Sequence, residues 1–144
     1  MFKRQIEAIL TLDVSTKQHF RGVYPMNRLP PRRQGAYIIN MDDHDEPGSH
    51  WVAVFDDGNT EYMDSYGQPP LDERCQTFLG LNYSYNTLPL QQQFSNACGF
   101  YCIYFILQRA RGLPAIDILS MLACTDSGFV VKDALYSRYK TIFN

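Results

Sequence analysis

Apolar residues at Phe2, Ile6, Ile9 and Leu10 recur at helical spacing before Asp13 to Lys17 breaks the pattern, which predicts a short opening helix from Phe2 to Leu10. Between Phe20 and Pro31, Gly22, Pro25, Pro30 and Pro31 interrupt any regular pattern. Their fixed dihedrals and missing donors predict an irregular, packed connection. Ala36 to Met41 is a continuous β-prone run, short enough to be an interior strand covered on both faces. A polar loop follows, Asp42 to Ser49. Beyond it, Trp51 to Phe55 and Thr60 to Tyr66 flank Asp56-Asp57-Gly58-Asn59, whose Asp-Gly pair tolerates positive φ, so two adjacent antiparallel strands are predicted. Pro70 to Leu79 reads as a helix with proline near its first turn, and Tyr83 to Leu90 as a further strand.

The clearest element begins near Cys98. From Phe100 to Leu107 every residue is apolar or aromatic, with no polar face, so this helix must be buried nearly all round. Arg109 and Arg111 near the negative end of its dipole, Gly112 as a cap and Pro114 beyond form a complete stop signal. Two more helices are predicted, Ala115 to Ala123 and about Phe129 to Thr141. Strands in the middle and helices at both ends make the fold α+β.

With 144 residues, 45% of them apolar, the chain can bury one core and is read as one domain over residues 1–144. Thirteen basic against fifteen acidic residues leave a net charge of -2, which gives no electrostatic support for nucleic acid as a partner. Glu7 stands where a secretory apolar region would begin, and no run approaches the roughly 20 apolar residues that span a bilayer. A soluble, intracellular protein that is not secreted and has no membrane partner is therefore expected. Cys75, Cys98, Cys102 and Cys124 are then expected to be free thiols.

One of them has a setting for chemistry. Unpaired N–H groups and the positive dipole end at a helix N-terminus favour thiolate over thiol, and Cys98 occupies that place. Gly99 leaves room for a substrate backbone, while Ser95-Asn96-Ala97 supplies small and capping residues. Cys102, one turn on, reads as core, and Cys75 and Cys124 have no activating neighbours. A nucleophilic cysteine needs a base. Of His19, His44 and His50, only His50 sits where a loop becomes a strand of the hairpin, and the partner strand carries Asp64 in an apolar stretch where an unpartnered carboxylate is costly. Hairpin geometry makes the two neighbours, and the pairing would hold the tautomer whose other nitrogen accepts the thiol proton. His44 lies in the charged run Asp42 to Glu46, a solvated loop with metal binding as a minor alternative. The backbone N–H of Cys98 can serve an oxyanion, and Gln91, Gln92 or Gln93 can bring a second donor.

The order His50-Trp51, Asp64-Ser65-Tyr66-Gly67, Gln91 through Ser95, and Cys98-Gly99 before an apolar helix resembles the adenovirus-type cysteine proteases, the adenain family. It looks most like the copies carried by Polinton or Maverick elements and adintovirus-like viruses. The resemblance runs from about Phe20 through Arg111-Gly112 to the last helix, most of the chain, and SUMO and NEDD8 proteases share the arrangement. It implies a papain-like, adenain-like α+β fold with a central mixed β-sheet flanked by helices. It further implies Cys98 as nucleophile, His50 as general base, Asp64 as orienting acid and a glutamine as oxyanion donor, with no cofactor and no metal. The adenain spacing points to Gln91, preferred here, and the SUMO-protease spacing to Gln92. Implied substrates are virion or element-encoded precursor proteins, cleaved after small residues such as glycine in a host nucleus, cytoplasm or virion, with a peptide activator as a further implied partner. Adenovirus enzymes are longer, have glutamate at the Asp64 position and are activated also by DNA, which the charge of this chain does not support. A deubiquitinase or SUMO-type protease, and a non-catalytic binding module of the same fold, are the alternatives.

Overall fold

The structure, a computed structural model, describes residues 3–42, 50–90, 97–123 and 127–143. Its central hairpin follows from the Asp56–Asn59 turn, where Asp56 Oδ1 accepts the Gly58 N–H at 2.9 Å and Asp57 Oδ1 accepts the Asn59 N–H at 3.1 Å. The turn sets β3 (Trp51–Asp56) antiparallel to β4 (Thr60–Met63), with Ala53 opposite Met63. The strand β2 (Gly35–Asn40) lies on the other side of β3, also antiparallel, with Asn40 opposite Trp51. Two parallel strands complete a mixed five-stranded sheet in the order β1-β2-β3-β4-β5, namely β1 (Phe20–Pro25) beside β2 and β5 (Tyr83–Tyr85) beside β4. β3 is therefore the middle strand.

β1 corrects the expectation of an irregular segment over Phe20 to Pro31. It is an edge strand, where proline is tolerated at the end, and its register slips between Phe20 and Gly22, which is where a glycine fits a bulge. After it comes one turn of 3-10 helix, Met26–Arg28. Three other predicted elements are shorter than expected. β4 stops at Met63 rather than Tyr66, and β5 stops at Tyr85 rather than Leu90 because Asn86 turns its side chain to the neighbouring backbone. The helix predicted from Pro70 is α2 (Glu73–Leu79), started by Asp72, whose side chain accepts the Arg74 N–H at 2.8 Å.

The continuous apolar runs of β2 and β3 arise because successive side chains enter different cores. Ala36, Ile38, Trp51, Ala53 and Phe55 face α1 (Lys3–Leu12) and α3 (Cys98–Ala110). Tyr37, Ile39, Val52 and Val54 face Cys75, Phe78 and Leu79 of α2. α3 lies along β3 and is buried from Cys98 to Ile103 and from Phe105 to Leu107. Burying Phe100, Ile103, Phe105, Ile106 and Leu107 contributes on the order of 10 kcal/mol before chain entropy, far more than helix propensity supplies. The helix ends in a Schellman motif. Gly112, at φ +96°, donates to the Arg109 carbonyl at 3.0 Å, and Leu113 donates to the Gln108 carbonyl at 3.0 Å.

α4 (Ala115–Leu122) follows. The single helix expected from Phe129 to Thr141 is two, α5 (Ser127–Arg138) and α6 (Lys140–Phe143). The break falls at Tyr139, whose hydroxyl donates to Asp13 just beyond α1. Among the described residues no helix is long and apolar enough to cross a membrane, and no group of three or more His, Cys, Asp or Glu side chains gathers as a metal site. Cys75, Cys98 and Cys102 are free and buried. Cys124 and residues 43–49, with His44 and most of the charged run, lie outside the described residues.

Candidate active site

Cys98 is the first residue of α3, and its helix presses it against the start of β3. Ala97 holds the N-cap position with no side-chain cap, while Ser95 and Asn96 lie outside the described residues. First-turn N–H groups have no partner inside the helix, so they are available to the sulfur and to whatever it attacks. Burial alone would raise the thiol's pKa. It is nevertheless lowered, because a contact with His50 and the backbone N–H groups of Trp51 and Gly99 favour the thiolate. Cys102 shows the contrast: one turn deeper and fully enclosed, its pKa is pushed well up by burial. Burial likewise pushes Cys75 up to about 12.

His50 stands immediately before β3 and Asp64 immediately after β4, so the hairpin register brings them together as its geometry predicts. The imidazole Nε2 donates to Asp64 Oδ1 at 2.9 Å. That leaves Nδ1 for Cys98. Nδ1 is buried and makes no hydrogen bond of strict geometry, while the imidazole as a whole is in electrostatic contact with Cys98. Burial opposes the imidazolium, but the bond to Asp64 and then the contact with Cys98 outweigh it, raising the pKa of His50 to about 9. A raised imidazole beside a lowered thiol favours a thiolate–imidazolium pair.

Further residues, to which the sequence assigned no role of their own, hold this pair in place. The Tyr66 N–H donates to the same Asp64 Oδ1 at 2.8 Å, and its ring lies against His50 with centroids 4.9 Å apart. Asn86 grips the Asp64 main chain from both sides. Gly67 takes φ +74° and fits where a Cβ would come within 2.7 Å of the Leu88–Pro89 backbone. Leu90 donates to the Ser65 carbonyl at 2.7 Å, and its own carbonyl accepts from the Tyr101 hydroxyl at 2.9 Å and from Ser127 Oγ at 3.2 Å. The sequence signal for Asn86 was weak but present: an asparagine inside an apparent strand is unfavourable unless its side chain has a partner. The expected oxyanion donors Gln91 and Gln92 lie outside the described residues. His19 is exposed and takes no part in the site.

No family model matches the chain. A protein of Acanthamoeba polyphaga mimivirus described as a "putative thiol protease" is 34% identical over 100 residues, covering 59% of this chain and 33% of that protein. The chain thus spans about a third of the length of the curated relative it matches. The crystal structure of the ASFV pS273R protease has the same fold, with a TM-score of 0.56 and 17% identity, covering 89% of this chain and 64% of that one. The SUMO protease Ulp1 overlays more loosely, at TM-score 0.37 and 21% identity, over 69% of this chain and 54% of its own. The α+β fold read from sequence is therefore that of a solved cysteine protease.

Proposed function

We propose that this chain is a cysteine endopeptidase in which Cys98 is the nucleophile, His50 the general acid and base, and Asp64 the group that orients His50. The observation that carries this reading is the single imidazole set between a carboxylate, 2.9 Å from Nε2, and a thiol at the N-terminus of a buried helix. The mimivirus relative supports it. The Cys98 thiolate adds to a peptide carbonyl, and the resulting oxyanion takes the Cys98 backbone N–H and a glutamine, Gln91 by preference. The His50 imidazolium then gives its proton to the departing amine, leaving a thioester on Cys98. Water attacks that thioester as His50 takes a proton from it, and a carboxylic acid and the free enzyme are restored.

The substrates proposed are precursor proteins of a virus or mobile element, cut after small residues such as glycine, with a peptide activator as a further partner. The experiment incubates wild-type chain and Cys98→Ala with capsid-type precursor peptides and, in parallel, with ubiquitin-like precursors. Cleavage of the first set by wild type alone is the expected result. Cleavage confined to the second set would replace the substrate class. Equal cleavage by Cys98→Ala, or an electrophilic probe that labels Cys98 no faster than Cys75 and Cys124, would overturn the enzymatic reading.

A further inference from the structure

β4 and β5 pair in parallel from Thr60 opposite Tyr83 to Tyr62 opposite Tyr85, and there the ladder stops. One residue beyond β4 stands Asp64, whose side chain is committed to His50 and whose main chain has left the strand. One residue beyond β5 stands Asn86, and its side-chain amide does what the next rung of a sheet would do. Its Oδ1 accepts the Asp64 N–H at 3.0 Å and its Nδ2 donates to the Asp64 carbonyl at 2.6 Å. The same Nδ2 reaches the Leu88 carbonyl at 3.2 Å. The side chain is buried and three of its four hydrogen-bonding positions are used. The Gly67 N–H adds a second bond to the Asp64 carbonyl, at 2.8 Å.

From this juxtaposition we infer that Asn86 is a positioning residue for the proposed reaction: by clamping both main-chain groups of Asp64 it fixes the carboxylate at the distance and angle His50 requires. The inference deepens the protease reading and rests on it. A carboxylate on an unpaired strand end can swing through an ångström or more, and the strength of a hydrogen bond to imidazole falls steeply over that range. A merely structural asparagine would tie down the end of β5 and alter stability, but it would leave the proton affinity of His50 unchanged. The two roles therefore separate in a titration.

The test is a proton NMR titration of the histidine rings in the full chain carrying Cys98→Ala, so that His50 reports on Asp64 without the thiol. Asn86→Ala in that background is expected to lower the His50 midpoint by about one pH unit, a fraction of what Asp64→Asn does. Asn86→Ser, which keeps one hydroxyl for one of the two backbone groups, should fall between. An unchanged midpoint in either folded variant overturns the inference, and failure of both to fold assigns Asn86 to stability and overturns it equally. The outcome is independent of cleavage: if wild type cuts nothing and Cys98 is unreactive, the protease reading fails while the Asn86 coupling is still measured.

Discussion

Replacing Asp64 by asparagine keeps the shape of the side chain and removes its charge, which isolates what the carboxylate does for the thiol two contacts away. The rise of His50 from 6.5 to about 9 corresponds to roughly 3 kcal/mol in favour of the imidazolium, at about 1.4 kcal/mol per pH unit. Burial opposes that charge and Asp64 is its chief support, so in Asp64→Asn the midpoint should fall to its ordinary value or below. At pH 6.5 half or more of the imidazolium is then lost, and with its charge partner weakened Cys98 reverts toward the thiol. Alkylation of Cys98 by iodoacetamide, followed by peptide mass mapping, is therefore expected to slow severalfold or more at pH 6.5. The gap should narrow toward pH 9, where wild-type His50 loses its own proton. A folded Asp64→Asn chain alkylated at the wild-type rate at pH 6.5 would refute the chain of reasoning from carboxylate to imidazole to sulfur.

Two further outcomes concern the frame around the site. Gly67→Ala forces a methyl against the Leu88–Pro89 backbone at a φ that L-residues avoid, and is expected to cost about 1–3 kcal/mol of stability; urea denaturation checks it, and an unchanged midpoint contradicts the close packing of the two loops. Asp13 accepts from Ser15 and Tyr139 and faces Arg111, which together outweigh burial and hold its pKa down from 3.8 to about 2. Its contribution, on the order of 2 kcal/mol, is present above pH 3.8 and lost as pH falls through about 2, so Asp13→Asn should lower stability at neutral pH and flatten the acid limb of a stability–pH curve. His50 acts in the opposite sense: its folded pKa is raised, so its contribution is complete below pH 6.5 and fades as pH rises through about 9.

What could be read from the chain depended on whether a residue acts through its own local pattern. The buried helix from Cys98 and its stop at Gly112 were apparent because apolar run, dipole and cap agree with one another. His50 and Asp64 could be paired because a two-stranded hairpin leaves little freedom once its turn is known. β1 escaped notice because an edge strand needs hydrogen bonds on one side only and so admits a glycine and a proline that would break an interior strand. Asn86 escaped because it serves the main chain of a residue 22 positions earlier, and no periodicity records such a contact. Tyr66 was visible as part of a motif, but its lying against the imidazole depends on how the loop after β4 turns.

Ala36 and Ala53 are small side chains with no exposed surface in the layer shared with α3. They set the spacing between the sheet and α3, which begins at Cys98, while His50 stands just before β3. A bulkier residue at Ala53, two positions along β3 from Trp51, would press the rod away from the platform and widen the sulfur-to-ring gap without approaching either group. The tolerance of the proposed site is thus written partly into the thickness of the interior, and drift in core volume and drift in thiol reactivity should travel together.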